Sequence, residues 1–272
     1  MDRKILAEIT HNMRVKTYPD GTRIFTCASS PVFRENGWEL SDNWEKHHRG
    51  SGDVRQGKNE DLQRAKRRAA SAVFDLAYST DFSYFVTLTL DAEKVNRYDV
   101  KEITRKLNNW LDNMVRRKGL VYVLVPERHK DGAIHFHGFF NAALEVVDSG
   151  TMSPPDGGKP KSFKSAALRS RRLDEGWKVV YNLPSWTLGF TTAIELYGSR
   201  RAAVGYVCKY ITKADEKIGG RWYYSGGALG HPVTELFDGD FSDFEAVEGV
   251  SRYRIDRIGV DMLTWEVKGE ML

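Results

Sequence analysis

From Asn59 to Tyr78 apolar residues recur at helical spacing, with Leu62, Ala65, Ala69, Val73 and Leu76 on one stripe, and this predicts a helix. The next stretch, "SYFVTLTLD" (83–91), alternates and is rich in β-branched and aromatic residues, as a strand requires. The helical period returns in "DVKEITRKLNNWLDNMVRRKG" (99–119), with Ile103, Leu107, Trp110, Leu111 and Met114 inward and Gly119 as its stop. "VYVLVPERHKDGAIHFHGFF" (121–140) reads as two strands around a Lys-Asp-Gly turn, and "GFTTAIEL" (189–196) as a further strand. "SRRAAVGYVCKYITKAD" (199–215) predicts a helix with Ser199 as its N-cap.

The remaining stretches are less patterned. Pro, Gly, Ser and basic residues crowd 146–178, which predicts a loop or mobile insertion. Its "GGKPKS" lacks the spacing of a phosphate-binding loop. Residues 11–60 look irregular apart from a short hairpin around "YPDGTRIF" (18–25), and the signals beyond "RWYYSGGALG" (221–230) are weak. No internal repeat is visible. Antiparallel hairpin strands interrupted by helices predict an α+β sandwich with its sheet covered on one side. The expected organisation is an N-terminal arm (1–58), a central domain (59–230) carrying the basic insertion, and an acidic C-terminal tail (231–272).

Composition narrows the class. A chain of 272 residues can bury one large core, and 29% charged with 41% hydrophobic residues reads as a globular protein. No apolar run is long enough for a bilayer, and "MDRKILAEIT" lacks a signal-peptide core. Two cysteines, Cys27 and Cys208, are too few for a disulfide scaffold or a cysteine zinc site, so a cytoplasmic setting is expected. The net charge of +4 hides an asymmetry: residues 231–272 hold ten acidic and four basic side chains. Positive charge gathers in "QRAKRRAA" (63–70) and "GGKPKSFKSAALRSRR" (157–172). A basic body with an acidic tail suits a polyanion binder, although solvated faces account for such runs equally well.

The chemistry lies in "AIHFHGFF" (133–140). On a strand His135 and His137 project from one face, and two neutral imidazoles side by side can hold a divalent metal. A pair of surface histidines on a half-exposed strand is the plainer account of an isolated H-x-H. The turn bears on a third ligand. A three-residue loop with Gly132 in the left-handed conformation pairs His129 with Ala133 and Glu127 with His135, which puts Glu127 beside the histidines. A two-residue turn would put Arg128 there instead.

On the later helix Tyr206 and Tyr210 stand four apart, as do Lys209 and Lys213, so all four crowd one face. A tyrosine phenolate is a usable nucleophile when a neighbouring cation or metal stabilises it, and a lysine beside it can hold a phosphate. Packing explains two lone tyrosines as readily, and Cys208 between them reads as ordinary packing.

Three blocks in one order, "FVTLTL" (85–90), "HFHGFF" (135–140) and "YVCKY" (206–210), resemble the HUH endonuclease superfamily, the rolling-circle replication initiators of bacterial phages and plasmids. The resemblance covers about residues 60–230. It implies a ferredoxin-like or RRM-like HUH fold, a central antiparallel sheet flanked by helices with the metal histidines on middle strands and the tyrosine helix beside them. It implies a site-specific nicking and joining enzyme acting on single-stranded origin DNA in the cytoplasm of a bacterial host cell. A divalent cation, Mg2+ or Mn2+, would be held by His135, His137 and Glu127. Tyr206 would attack to form a 5′-phosphotyrosine, with Lys209 in support. Tyr210 either attacks in the next round or only packs. No helicase motif is visible, so unwinding falls to a partner, an already melted hairpin or supercoiling; a host helicase and DNA polymerase are the expected partners, and no membrane.

Other residues are open to two readings. Arg64, Lys66, Arg67, Arg68 and Lys213 are candidate DNA contacts. Trp186, Tyr223 and Tyr224 suit either base stacking or the core. Thr87 and Thr89 are explained by β-propensity, and Arg128 and His129 by solvent exposure. The rival functions are a relaxase or single-strand transposase of the same chemistry, a non-catalytic single-strand binding module, and a water-using metal hydrolase.

Overall fold

The computed structural model describes residues 10–34, 54–196 and 200–269. They fall into two compact units: Asn59–Gly230, and the two end segments Met1–Lys58 and His231–Leu272 taken together. Ser199, the expected N-cap, lies outside the described residues. Among the described residues no helix is long and apolar enough to cross a membrane.

The larger unit follows the apolar pattern closely. α1 (Val54–Ser79) leads into β1 (Tyr84–Leu90), α2 (Val100–Lys118) crosses to β2 (Tyr122–Arg128), and a tight turn returns the chain as β3 (Ile134–Phe140). β4 (Val147–Ser153), β5 (Lys161–Ser162), α3 (Ala166–Asp174) and β6 (Lys178–Asn182) come next, then β7 (Gly189–Glu195), α4 (Arg200–Lys213) and the short β8 (Tyr224–Gly226). All eight strands join one antiparallel sheet in the order β8-β2-β3-β1-β7-β6-β4-β5. The central order β2-β3-β1-β7, with α2 as the crossover, is ferredoxin-like, so the α+β class is as expected.

α2 is capped at both ends. The Asp99 carboxylate accepts from the backbone N–H groups of Lys101 and Glu102, and Gly119 takes the left-handed conformation, φ +72°, that stops the helix. Ile103, Leu107, Trp110 and Leu111 pack on Val86, Leu88, Leu124, Ile134 and Phe136. Truncating one such buried leucine costs about 2–5 kcal/mol.

Burial on one side of the sheet was expected, and the structure corrects this. The opposite face carries Val123, Val125 and Phe139, covered by Ala69, Val73 and Leu76 of α1 and by Val204, Val207 and Ile211 of α4. β2 explains the difference: "VYVLV" is apolar at both parities, so its two faces bury alike. Residues 146–178 also differ from the expected loop, for they supply β4, β5 and α3, with Ser165 capping α3 and β4 pairing with β6. That pairing spans a break in register between Val180 and Tyr181, which blurs any local alternation.

The end segments, expected as arm and tail, build a common sheet. Its strands run in the order 233–237, 13–17, 23–28, 260–267 and 251–255. The hairpin expected around residues 18–25 is present, closed by Tyr18 N–H donating to the Thr22 carbonyl at 2.9 Å. Met13, Cys27, Leu263 and Trp265 form a small core, with Phe25 stacked on Trp265 at 5.1 Å.

Gly138 in the middle of β3 is a requirement of the sheet. A Cβ there would lie 1.9 Å from the Val123 carbonyl oxygen and 2.9 Å from Leu124 Cα, both backbone atoms of β2. Gly138→Ala is expected to lower stability by about 2–3 kcal/mol, read as a fall in the urea midpoint. A wild-type midpoint would contradict this close approach.

Candidate metal and tyrosine site

The site grows from one turn. His129 N–H donates to the Ala133 carbonyl at 2.8 Å and Gly132 sits at φ +87°, so the loop is the three-residue form with glycine left-handed. Glu127 is therefore opposite His135, and Arg128 opposite Ile134. On the other flank of β3, Thr87 pairs with His137 and Thr89 with His135. Directly paired residues share a face, so Glu127, His135, His137, Thr87 and Thr89 converge on the face of the sheet that carries α1 and α4.

The contacts are specific. His137 Nε2 and Glu127 Oε2 are 2.9 Å apart, with the His137 side chain only 12% exposed. Thr87 Oγ1 is 3.1 Å from His137 Nδ1, and Thr89 Oγ1 is 3.3 Å from His135 Nδ1. Burial, the largest influence, pulls both imidazoles below their ordinary pKa. The Glu127 carboxylate opposes it at both rings, and the neighbouring His129 reinforces it at His135.

α4 brings the tyrosines to this face. The Tyr210 ring lies flat on the His137 ring, centroids 4.3 Å apart and planes 5° from parallel. The Tyr210 hydroxyl donates to the Tyr206 hydroxyl oxygen at 2.7 Å. Tyr206 is 49% exposed and meets Phe85 edge-on at 5.8 Å. Burial first, then the contact with Tyr206 and the negative field of Glu127, raise the Tyr210 phenol well above its ordinary pKa. The two tyrosines are thus chemically unequal: one is open to solvent, the other is held as a neutral donor. Lys209 and Lys213 are exposed on the same helix. Cys208 does pack, its thiol against the Ala70 carbonyl at 3.4 Å, and burial raises its pKa to about 11.

The donor set of His135, His137 and Glu127, two nitrogens and one oxygen, matches a borderline divalent cation. Among the described residues, however, no three His, Cys, Asp or Glu side chains are gathered into a ready cage. Of His135, His137 and Glu127, the last two are in direct contact, Glu127 Oε2 to His137 Nε2 at 2.9 Å.

The other sequence candidates separate. Arg67 and Arg68 are exposed on α1, and Arg64 is partly exposed and pairs with Asp61. Lys66 is buried at 5% exposure with Nζ 5.9 Å over the Trp222 ring, so its charge is not offered to a strand of DNA. Trp186 and Tyr224 are core residues, Trp186 donating to the Thr89 carbonyl at 3.2 Å and Tyr224 to the Ile218 carbonyl at 2.9 Å. Tyr223 is partly buried. Arg128 is exposed as expected, yet bound to Glu216 at 2.8 Å, and exposed His129 stands 5.3 Å from the His135 ring. Thr87 and Thr89, assigned from sequence to β-propensity, face the two rings; their signal was the shared period, for T-L-T and H-F-H each repeat every second residue.

No curated protein and no solved structure matches the chain. Residues 83–215 do match a family model, that of the replication-associated protein ORF2 family. This stretch runs from β1 to just past α4 and so contains Glu127, His135, His137, Tyr206, Lys209 and Tyr210. The match supports a replication-initiator, Rep-type protein.

Proposed function

We propose that the protein is a metal-dependent endonuclease and strand transferase of the HUH type, which nicks and rejoins single-stranded origin DNA to start rolling-circle replication. One observation carries the reading: an unbroken chain of contacts from exposed Tyr206 to Tyr210, from Tyr210 to His137, and from His137 to Glu127. It joins a solvent-exposed tyrosine to the candidate cation ligands, the pairing by which a neighbouring metal activates a nucleophile.

Tyr206 gives up its phenolic proton to solvent and attacks the scissile phosphorus through that oxygen. The bond from phosphorus to the 3′ oxygen breaks, the departing 3′ oxygen takes a proton from solvent to become a hydroxyl, and the 5′ end stays on the enzyme as a phosphotyrosine ester. Attack by a later 3′-hydroxyl reverses these bonds and closes the strand, with no external energy source. Tyr210 donates a hydrogen bond to the attacking oxygen and favours its anionic form. Lys209, exposed at i+3 from Tyr206, meets the phosphate. His135, His137 and Glu127 would hold a divalent cation, Mg2+ or Mn2+, whose charge offsets that of the scissile phosphate. Arg64, Arg67 and Arg68 lie along one face of α1, and with Lys213 they suit backbone phosphates.

The deciding experiment mixes the protein with labelled single-stranded DNA of its own element, in Mn2+ and in EDTA, and reads covalent adducts on a denaturing gel. An adduct is expected in Mn2+ alone, lost in Tyr206→Phe, His135→Ala and His137→Ala. Tyr210→Phe should retain it at a rate lowered about tenfold, the worth of one hydrogen bond of about 1.4 kcal/mol. Absence of any adduct despite tight binding would sink the enzyme reading. Persistence of the adduct in Tyr206→Phe would make Tyr210 a nucleophile.

DNA affinity supplies a separate check. Arg67→Ala with Arg68→Ala should weaken binding and flatten its salt dependence by about one unit of slope per lost phosphate contact. Lys66→Met should leave that slope unchanged, because the head group is buried over Trp222.

A further inference from the structure

We infer that Thr87 and Thr89 are positioning residues for the two imidazoles, and that their hydroxyls let the His137 ring move its N–H from Nε2 to Nδ1 when a divalent cation takes the Nε2 lone pair. This rests on the proposed cation-dependent reading of the site.

Three distances impose the argument. His137 has partners at both ring nitrogens, Glu127 at Nε2 and Thr87 at Nδ1. An ionised carboxylate only accepts, so the neutral ring facing it carries its hydrogen on Nε2. Nδ1 is then bare, and the Thr87 hydroxyl donates to it. Cation binding at Nε2 requires the reverse: Nε2 gives up its hydrogen, Nδ1 takes one up, and the ring stays neutral. A carboxylate or a backbone carbonyl at Nδ1 could serve only the second state, because neither can donate. A hydroxyl serves both by turning its hydrogen away and accepting. Thr89 Oγ1 likewise faces His135 Nδ1, at 3.3 Å. The strand register makes the arrangement repeat, since Thr87 and Thr89 face His137 and His135 directly. β-propensity alone explains neither the hydroxyls nor their pairing with both rings. Partners behind metal-binding histidines typically fix ring orientation and tautomer in this way.

The test uses Thr→Val, which keeps shape and strand preference but removes the hydroxyl, and Thr→Ser, which restores it. Binding of Mn2+ to the full chain is measured by the loss of its free EPR signal, without DNA. Thr87→Val and Thr89→Val are each expected to weaken it about 10–100-fold, and Thr87→Ser to return it to wild type. In protein labelled with 15N at histidine, the His137 Nδ1 resonance should be that of a bare acceptor before Mg2+ and that of a protonated nitrogen after it, with the first signal displaced in Thr87→Val. Mn2+ affinity in both valine variants equal to wild type would overturn the inference. If His135→Ala and His137→Ala bind Mn2+ as wild type does, the cation reading fails instead. The metal-free nitrogen spectrum then decides the threonine contacts alone: an unchanged Nδ1 resonance in Thr87→Val overturns them.

Discussion

The antiparallel register of β1, β3 and β2 is the constraint on which the site depends. Side chains in a sheet alternate every residue, so a slip of one position would turn both histidines from the α1–α4 face to the α2 face. Two features pin the register. Gly132 closes a three-residue turn that sets Glu127 against His135. Gly138 lets β3 approach the β2 backbone where any side chain would collide. Large apolar residues anchor the α2 face of the same strands through Leu88, Ile134 and Phe136. Polar convergence on one face is thus secured by hydrophobic burial on the other.

How much of this the sequence revealed depended on range. Elements that announce themselves locally were legible: the Gly119 stop of α2, the alternation of β1 and the turn before β3 are each written within a few residues. The convergence of Glu127 with the histidines was legible too, because a hairpin converts sequence distance directly into register. Long-range pairing was not. Strands 13–17 and 233–237 lie more than 200 residues apart, and neither is long enough to stand out alone. Lys66 shows a different loss. It sits about 200° round the helix from Arg64, so the basic run "RAKRR" wraps α1 rather than forming one face. A charge count sees four cations where geometry gives three outward and one inward.

The acidic C-terminal segment illustrates why charge alone misleads about organisation. Its carboxylates serve as local partners within the end unit. Asp238 accepts from the Asn12 backbone at 3.2 Å, Asp240 caps the short helical turn at 241–244, and Asp261 takes Arg254 at 2.8 Å. Asp238 thus ties the C-terminal segment to the N-terminal one, while Asp240 and Asp261 find their partners within the C-terminal segment itself. Such exposed pairs contribute little stability singly, about 0–1 kcal/mol. Trp265, stacked between Phe25 and Phe244, supplies apolar burial across the two end segments.

The two tyrosines of α4 show how one residue type at helical spacing acquires two chemistries. Position i+4 carries Tyr210 inward over His137, where desolvation and the Glu127 charge disfavour its phenolate. Tyr206, one turn earlier, projects into solvent and receives the hydrogen bond that Tyr210 can give only while protonated. The arrangement is self-consistent in one direction: what makes Tyr210 a poor nucleophile makes it a good donor. For Tyr210 to attack, it would have to leave the His137 ring and lose the donor role together, so the roles cannot be exchanged by a small rotation about one bond. Within the proposed chemistry, the first cleavage belongs to Tyr206, and any attack by Tyr210 requires it to leave this stack.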